Sequence, residues 1–271
     1  MILVAENLTV TDAGVSRALE RHDPAPLRRV AALAAAAGAR YLDVNLGPGA
    51  LGGPDSVEFV LEALVGHWSG GVLVDTTNPA VMERAARRAT AASPPLVLNG
   101  YSGDDGREAV LDVASRFGLP VVVFLMARGV PRSAEERLAL AAELVGRCQE
   151  RGVGLDRIWI DPVVAPLGWA DGQDRDAALL EVLRRLPELF GEPVTSIVGV
   201  SNLTTGAVGV RRLPWLEEVF LALAAGAGLT HAMVDVRNVR LMRVARALEV
   251  LDGHRLFAPN EFEPHGGRPG T

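Results

Sequence analysis

Lysine is absent from this chain: all 27 basic residues are arginine. Against 33 acidic residues they leave a formal net charge of −6, which argues against a general nucleic-acid binder, whose footprint is a basic surface. Cysteine is nearly absent too. Cys148 stands alone, so no intrachain disulfide and no cysteine-rich metal or iron–sulfur centre can form. A lone thiol in an expected helix reads as a small core residue. No apolar run reaches the roughly 20 residues that a membrane-spanning helix needs. The first residues lack a basic segment followed by a long apolar run, so the expectation is a cytoplasmic protein without membrane contact. Neither His-Glu-x-x-His nor paired histidines at ligand spacing occurs, so no metal motif is expected.

What is present is a regular alternation. Hydrophobic residues make up 49% of the 271, enough for one large core. Short apolar strands read at 1–5, 40–44, 71–74, 95–98, 120–126, 157–160, 197–200 and 231–234. Between and after them lie helical patterns at about 24–37, 55–68, 79–91, 104–117, 133–151, 174–190, 214–226 and 238–251. Asp23-Pro24 reads as an N-cap with proline in the first turn, and Ser133-Ala134-Glu135-Glu136 as a capping box. Strict strand–helix alternation argues for a parallel sheet, and eight units in this length predict an α/β fold, a single (β/α)8 barrel, over 1–258. A doubly wound open sheet is the alternative. The Gly/Pro-rich segment 259–271 is expected to be a mobile tail.

In such a barrel every strand delivers its C-terminal end to one mouth, where the chemistry is placed. The residues arriving there are Glu6, Asn7, Asp43, Asn45, Asp75, Asn78, Asn99, Asp161, Ser201, Asn202 and Asp235. Any one of them is a common turn former. As a set they make a ring of carboxylates and carboxamides with almost no basic side chain. Ile197-Val-Gly-Val-Ser-Asn202 is the most telling member: an apolar strand, interrupted by Gly199 where something must approach closely, ends in two polar residues. Carboxylates can gather Mg2+ or pair with amidine-like N–H groups, as they do with guanidinium. A 2-amino-4-oxo pterin presents such an edge through its 2-amino group, N1 and N3.

Leu42-Asp43-Val44-Asn45-Leu46-Gly47-Pro48, Val74-Asp75-Thr76-Thr77-Asn78, Leu98-Asn99, Ile160-Asp161-Pro162 and Val198-Gly199-Val200-Ser201-Asn202 resemble the methyltetrahydrofolate:corrinoid/iron-sulfur protein methyltransferases. The resemblance extends to Arg21-His22-Asp23-Pro24-Ala25-Pro26 and Arg137-Leu138-Ala139 and runs in order along essentially the whole chain. It implies a pterin-binding barrel of the dihydropteroate-synthase-like kind and a homodimer. It implies that Asp161 pairs with N3 and the 2-amino group, and that Asn99 and Asp75 hold the remaining pterin nitrogens. Ser201, Asp43 and Asn45 belong to the same pterin-binding set, and Asn202 would bond to N5, which carries the transferred methyl. The methyl acceptor or donor would be a corrinoid (cobalamin), with methyltetrahydrofolate or tetrahydrofolate as the other substrate and no metal bound by the chain itself. The cobalamin-binding pattern Asp-x-His-x-x-Gly is absent, so the corrinoid is expected on a partner protein or free. One stretch departs from the family: Gly-Glu-Arg-x-Asn is here Ala5-Glu6-Asn7-Leu8-Thr9.

Two rivals share the barrel. Dihydropteroate synthase resembles the chain at Asp75, Asn99 and Asp161, but that family relies on a lysine for its pterin, and none is present. A non-catalytic folate-binding barrel would bind folate without methyl transfer. Other features read more plainly. His67, His231 and His254 are scattered and expected to be structural or exposed. Gly47-Pro48-Gly49 and Gly52-Gly53 lack the Gly-Lys-Ser/Thr that completes a phosphate loop. Arg128, Arg211 and Arg212 could meet a folate glutamate tail, and Trp169 could flank the pterin, although Trp159 and Trp169 fit packing roles better.

Overall fold

In the computed structural model, which describes residues 1–47, 54–89, 94–104, 106–205 and 213–258, eight parallel strands close into a barrel in chain order. They are β1 (Ile2–Thr9), β2 (Tyr41–Asn45), β3 (Gly71–Asp75), β4 (Leu96–Ser102), β5 (Val121–Phe124), β6 (Ile158–Asp161), β7 (Thr195–Gly199) and β8 (His231–Val234). Ile2 of β1 pairs with His231 of β8, which closes the ring and excludes the open sheet. The helices are α1 (Ala13–Arg21), α2 (Pro24–Ala36), α3 (Pro54–Leu64), α4 (Pro79–Arg88), α5 (Ala109–Phe117), α6 (Ala134–Glu150), α7 (Gly172–Phe190), α8 (Pro214–Gly226) and α9 (Val239–Leu251).

Two apolar layers hold this together. The larger lies between strands and helices and includes Leu8, Leu42, Val74, Leu98, Ile160 and Val198 from the outer strand faces. The smaller fills the barrel itself: Val4, Leu73, Val97, Val122, Trp159 and Ile197, one from each of six strands. Tyr41 meets the Trp159 ring edge-on at 5.1 Å, and His231 lies 4.3 Å from it, completing the plug. Strand side chains alternate with a period of two. The residue two places beyond each plug residue therefore also points inward, one layer nearer the mouth. That layer is Glu6, Asp43, Asp75, Asn99, Phe124, Asp161, Gly199 and Met233.

The helix signals act largely as the sequence suggests. Asp23 caps α2 by accepting from the Ala25 N–H, and Ser133 with Glu136 forms the full capping box of α6. Such caps contribute about 1 kcal/mol each. Cys148 is fully buried in α6, and burial pushes its thiol up to about 12, so it is an inert core residue. Among the described residues no helix is long and apolar enough to cross a membrane.

Four expectations need correction. An additional helix, α1, sits between β1 and α2; Asp12 caps it, and Val15, Ala18 and Leu19 supply its buried face. The helix expected from Asp104 begins only at Ala109, because the Asp104 carboxylate accepts instead from Ser102 Oγ (2.8 Å) and from the Arg128 N–H (2.7 Å), tying two mouth loops together. β1 and β4 run past their expected ends, each with a register irregularity, between Ala5 and Leu8 and between Asn99 and Tyr101. Gly100 lies at the second, where a Cβ would stand 2.4 Å from the Val122 carbonyl oxygen. Finally, β7 stops at Gly199, and Val200–Leu203 forms a 3-10 turn in place of more strand. The Gly47–Pro54 loop, apart from Gly47 and the helical start, Arg211, Arg212 and the tail 259–271 lie outside the described residues.

Candidate functional site

A cavity of about 590 Å3 opens at the C-terminal mouth of the barrel. Glu6, Asp43, Asn45, Asp75, Asn99, Asp161, Ser201 and Asn202 all line it, so residues up to 196 positions apart in sequence meet in one place. A larger cleft of about 690 Å3 lies at the opposite face, around Met1, Gly38 and Arg246. The mouth cavity is the better candidate, because there polar side chains converge on one volume, the arrangement that ligand sites share. Asn78 is the exception. It caps α4 by accepting from the Ala80 N–H (3.0 Å), and so acts as a turn former outside the cavity.

The register explains the clustering. Asn45 pairs with Asp75 across β2 and β3, and Asp75 with Asn99 across β3 and β4. Asn45 Nδ2 donates to Asp75 Oδ2 at 2.5 Å, and its Oδ1 accepts from the Gly47 N–H. Asn99 Nδ2 donates to Asp43 Oδ1 at 3.1 Å. Asn99 Oδ1 is buried and has no hydrogen-bond partner among the described residues. A buried acceptor left unmet costs roughly 1–3 kcal/mol, so it is a place for a ligand donor. Asp161 Oδ1 accepts from the Val163 N–H (2.7 Å). Ser201 Oγ donates to Glu6 Oε2 at 2.9 Å. The Asn202 carboxamide is exposed to the cavity and makes no hydrogen bond among the described residues. Gly199 leaves it room: a Cβ there would stand 3.0 Å from Asn202 Nδ2. The close approach that a strand glycine signals is made here by Asn202 itself.

The altered Glu6-Asn7-Leu8-Thr9 stretch has a structural use. Asn7 is buried, donates to Asp235 Oδ1 at 2.5 Å and accepts from the Val236 N–H at 3.0 Å. It thus stitches β1 to the end of β8. Asp235 also accepts from Arg237 Nε (3.0 Å), so it is a paired group and not an open carboxylate. Burial pushes Asp235 up, but the bonds from Arg237 and Asn7 prevail and hold it below the ordinary value. Sequence reasoning missed Arg237, Thr9, Thr11, Phe124, Thr205 and Met233 as lining residues. Phe124 and Met233 were findable, since each lies two residues beyond an inward-facing position. Arg237 carries no such signal, being in the loop after β8. Trp159 belongs to the plug, and Trp169 lies under the Arg175 guanidinium at 5.7 Å, outside the cavity lining.

The inner carboxylates are hard to ionise. Burial pushes Asp161 up to about 7, against the pull of the Val163 N–H and the Arg137 charge. Burial pushes Asp75 up to about 6, against the Asn45 bond. Asp43 is raised well above its ordinary value by burial and then by the neighbouring Asp75 charge. His231 moves the other way: burial in the plug pulls it down to about 4. Among the described residues no group of three or more His, Cys, Asp and Glu is arranged to hold a metal.

These shifts set a pH dependence for the ligand-free protein. A carboxyl whose folded value is raised binds more protons folded than unfolded, so stability falls as pH climbs towards that value. Neutral His231 acts oppositely, but only up to the unfolded value of 6.5. Between about pH 6.5 and 8 the loss through Asp161 stands unopposed, on the order of 1 kcal/mol, and Asp43 acts in the same direction. Thermal unfolding without ligand should therefore show a falling Tm across that interval, flattened in Asp161→Asn. A Tm that rises from pH 6.5 to 8 would contradict the buried-carboxylate assignment.

An eight-stranded barrel places its chemistry at this mouth, and the carboxylates and carboxamides that ring it here can accept hydrogen bonds from a ligand's N–H groups. Residues 5–235 match the family described as pterin binding enzyme, and the chain belongs to that family. It is 25% identical over 260 residues to the methylcorrinoid:tetrahydrofolate methyltransferase of Eubacterium limosum, covering 94% of this chain and 92% of that one. Among solved structures it resembles dihydropteroate synthase of Xanthomonas albilineans with 4-aminobenzoic acid (TM-score 0.67, 23% identity, 95% of this chain and 93% of that one). It also resembles the Yersinia pestis dihydropteroate synthase in complex with a sulfonamide drug (TM-score 0.67, 19% identity, 94% and 95%). At these identities the two synthases establish the shared fold.

Proposed function

We propose that this protein moves a methyl group between N5 of methyltetrahydrofolate and the cobalt of a corrinoid that reaches the mouth on a partner protein or free. The observation that carries the reading is the Asn202 carboxamide, unbonded among the described residues and exposed beside the buried Asp43, Asp161 and Asn99 and the half-buried Asp75. The named activity of the Eubacterium limosum relative supports it. The pterin edge fits the donor set. Asp161 accepts from N3 and the 2-amino group, while Asn99 and Asp75 satisfy the remaining ring nitrogens, with Asp43 and Asn45 holding those two side chains in place. Ser201, tied to Glu6, anchors the turn that presents Asn202 to N5.

The methylated amine is a poor leaving group until N5 gains a proton or a strong hydrogen bond. A carboxamide can offer either an oxygen or an NH2 group and so follows that change. Stabilisation that grows only in the transition state raises kcat. The corrinoid supplies the cobalt nucleophile in one direction and the methyl in the other, and the same N5 contact serves both. Burial of the acids keeps water from competing for the pterin edge.

Dihydropteroate synthesis is disfavoured by the absence of lysine. The test is to mix purified protein, methyltetrahydrofolate and cob(I)alamin and follow cobalt methylation by absorbance. Rapid conversion is expected. Tight folate binding without conversion, with free or protein-bound corrinoid alike, would leave a binding barrel in place of a transferase.

A further inference from the structure

Arg137 is a fully buried guanidinium outside the cavity lining. It lies in the first turn of α6, where the helix dipole disfavours a cation. Burying such a charge costs several kcal/mol, and an apolar side chain of similar size would fill the space more cheaply. Two of its three hydrogen bonds go to one feature, the turn after Asp161. Nε donates to the Pro131 carbonyl (3.1 Å), and Nη1 donates to the Pro162 carbonyl (2.9 Å) and, more weakly, to that of Val163 (3.5 Å). Pro162 and Val163 directly follow Asp161, and the Val163 N–H is the donor that fixes Asp161 Oδ1. Val163 holds φ +63, a left-handed conformation that a β-branched residue adopts only when its surroundings enforce it. Asp176 of α7 braces the same loop by accepting from the Ala165 N–H (2.9 Å).

We propose that Arg137 is a positioning residue for Asp161: it pins the strained turn that aims the carboxylate into the cavity and sets a positive charge behind it. The inference rests on the reading of the cavity as a pterin site, and it assigns a tuning function to a residue that touches no substrate. Arg137 on α6 is the charge that acts on Asp161; Asp176 and Arg175 on α7 act on Arg137 in turn; Glu6, Asp43, Asp75, Asp235 and Arg237 line the same cavity; and Phe124, paired with Asp161 on β5, brings no charge. Arg175 is already paired with Asp171 at 2.9 Å, and Asp176 faces Arg137. Arg237 at the cavity rim is likewise paired, with Asp235 at 3.0 Å, so among the described residues Arg137 is the cation left to act on Asp161. Burial pulls it down to about 10, which still leaves it protonated at neutral pH.

The test follows the Asp161 carboxyl carbon by NMR in ligand-free protein labelled at aspartate, alongside methyltetrahydrofolate affinity by calorimetry. Arg137→Gln keeps a donor for the Pro162 carbonyl but removes the charge. It should raise the Asp161 titration midpoint by about one pH unit and weaken folate binding at neutral pH about tenfold. Arg137→Lys restores the charge and should return the midpoint to within a few tenths of a unit. Should Arg137→Gln fail to fold, Asp176→Asn reads the same coupling in the other direction, because an unshared Arg137 charge lowers the midpoint. A merely structural Arg137 would lower Tm in these variants and leave the midpoint where it is in the unaltered protein, which would overturn the proposal. If the unaltered protein binds no folate, the pterin reading fails, while the NMR titration still decides the coupling.

Discussion

Replacing Asn202 with alanine is expected to slow methyl transfer by roughly tenfold to a thousandfold, the loss that follows removal of one strong transition-state hydrogen bond. Affinity for methyltetrahydrofolate should fall much less, since Asp75, Asn99 and Asp161 still line the cavity and meet the pterin edge. The fold gives little reason for a stability effect. The 3-10 turn that carries Asn202 is held by the Ser201 carbonyl, which accepts from the N–H groups of Thr204 (3.3 Å) and Thr205 (3.1 Å) and from Thr205 Oγ1 (2.8 Å). Ser201 Oγ adds its bond to Glu6. The Asn202 carboxamide takes no part, so truncation should change stability by no more than about 1 kcal/mol. Loss of kcat without matching loss of binding is the kinetic mark of an interaction made mainly in the transition state. Rapid mixing of enzyme, methyltetrahydrofolate and cob(I)alamin, with binding measured separately, checks it. A folded Asn202→Ala protein that turns over at the unaltered single-turnover rate would remove Asn202 from the mechanism and return the protein to the class of folate-binding barrels.

Asp161→Asn should produce the complementary pattern. A carboxylate only accepts, whereas the amide places an NH2 donor where N3–H or the 2-amino group must be received. Folate affinity should drop on the order of a hundredfold, as expected when a charge-assisted pair is replaced by a mismatch that strands a buried donor. The protein itself should lose little. Asn Oδ1 can still accept the Val163 N–H, and the cost of ionising a buried acid disappears. At pH 8 the ligand-free variant is therefore expected to melt no lower than the parent. Calorimetry giving unchanged affinity would exclude Asp161 from the pterin edge. A collapse of the fold would instead mean that the turn after β6 depends on the charge itself. This substitution does not separate methyl transfer from dihydropteroate chemistry, since both readings use Asp161; the Asn202 experiment does.

The site was legible in the sequence wherever a side chain directly followed a buried strand. Asp43, Asp75, Asn99 and Asp161 are each the last or near-last inward residue of an apolar run, and strand periodicity fixes where such a residue points. Asn78 had the same local appearance yet caps α4, because it lies three residues past the end of β3, at the start of the helix. Asp235 also looked open from its position after β8. Its pairing with Asn7 depends on β1 lying beside β8, a contact between residues 228 positions apart, while Arg237 closes on it from two residues further along the chain.

By itself the sequence determined the architecture and the chemistry available to it. Strand–helix alternation argues for a parallel sheet and eight such units for a barrel, whose closure the β1–β8 pairing then decides, and the residue types at the strand ends supply a mouth of carboxylates and carboxamides without lysine. Only the tertiary structure decided how those groups behave. Closure of the ring brings β1 against β8, so that Asn7 silences Asp235 and Ser201 reaches Glu6. Burial then raises Asp43, Asp75 and Asp161. The 3-10 turn, with Gly199 clearing space beneath it, leaves the Asn202 carboxamide in the cavity. Ionisation and hydrogen-bond pairing depend on what stands within a few ångströms, and in a closed barrel most of those neighbours are distant in the chain.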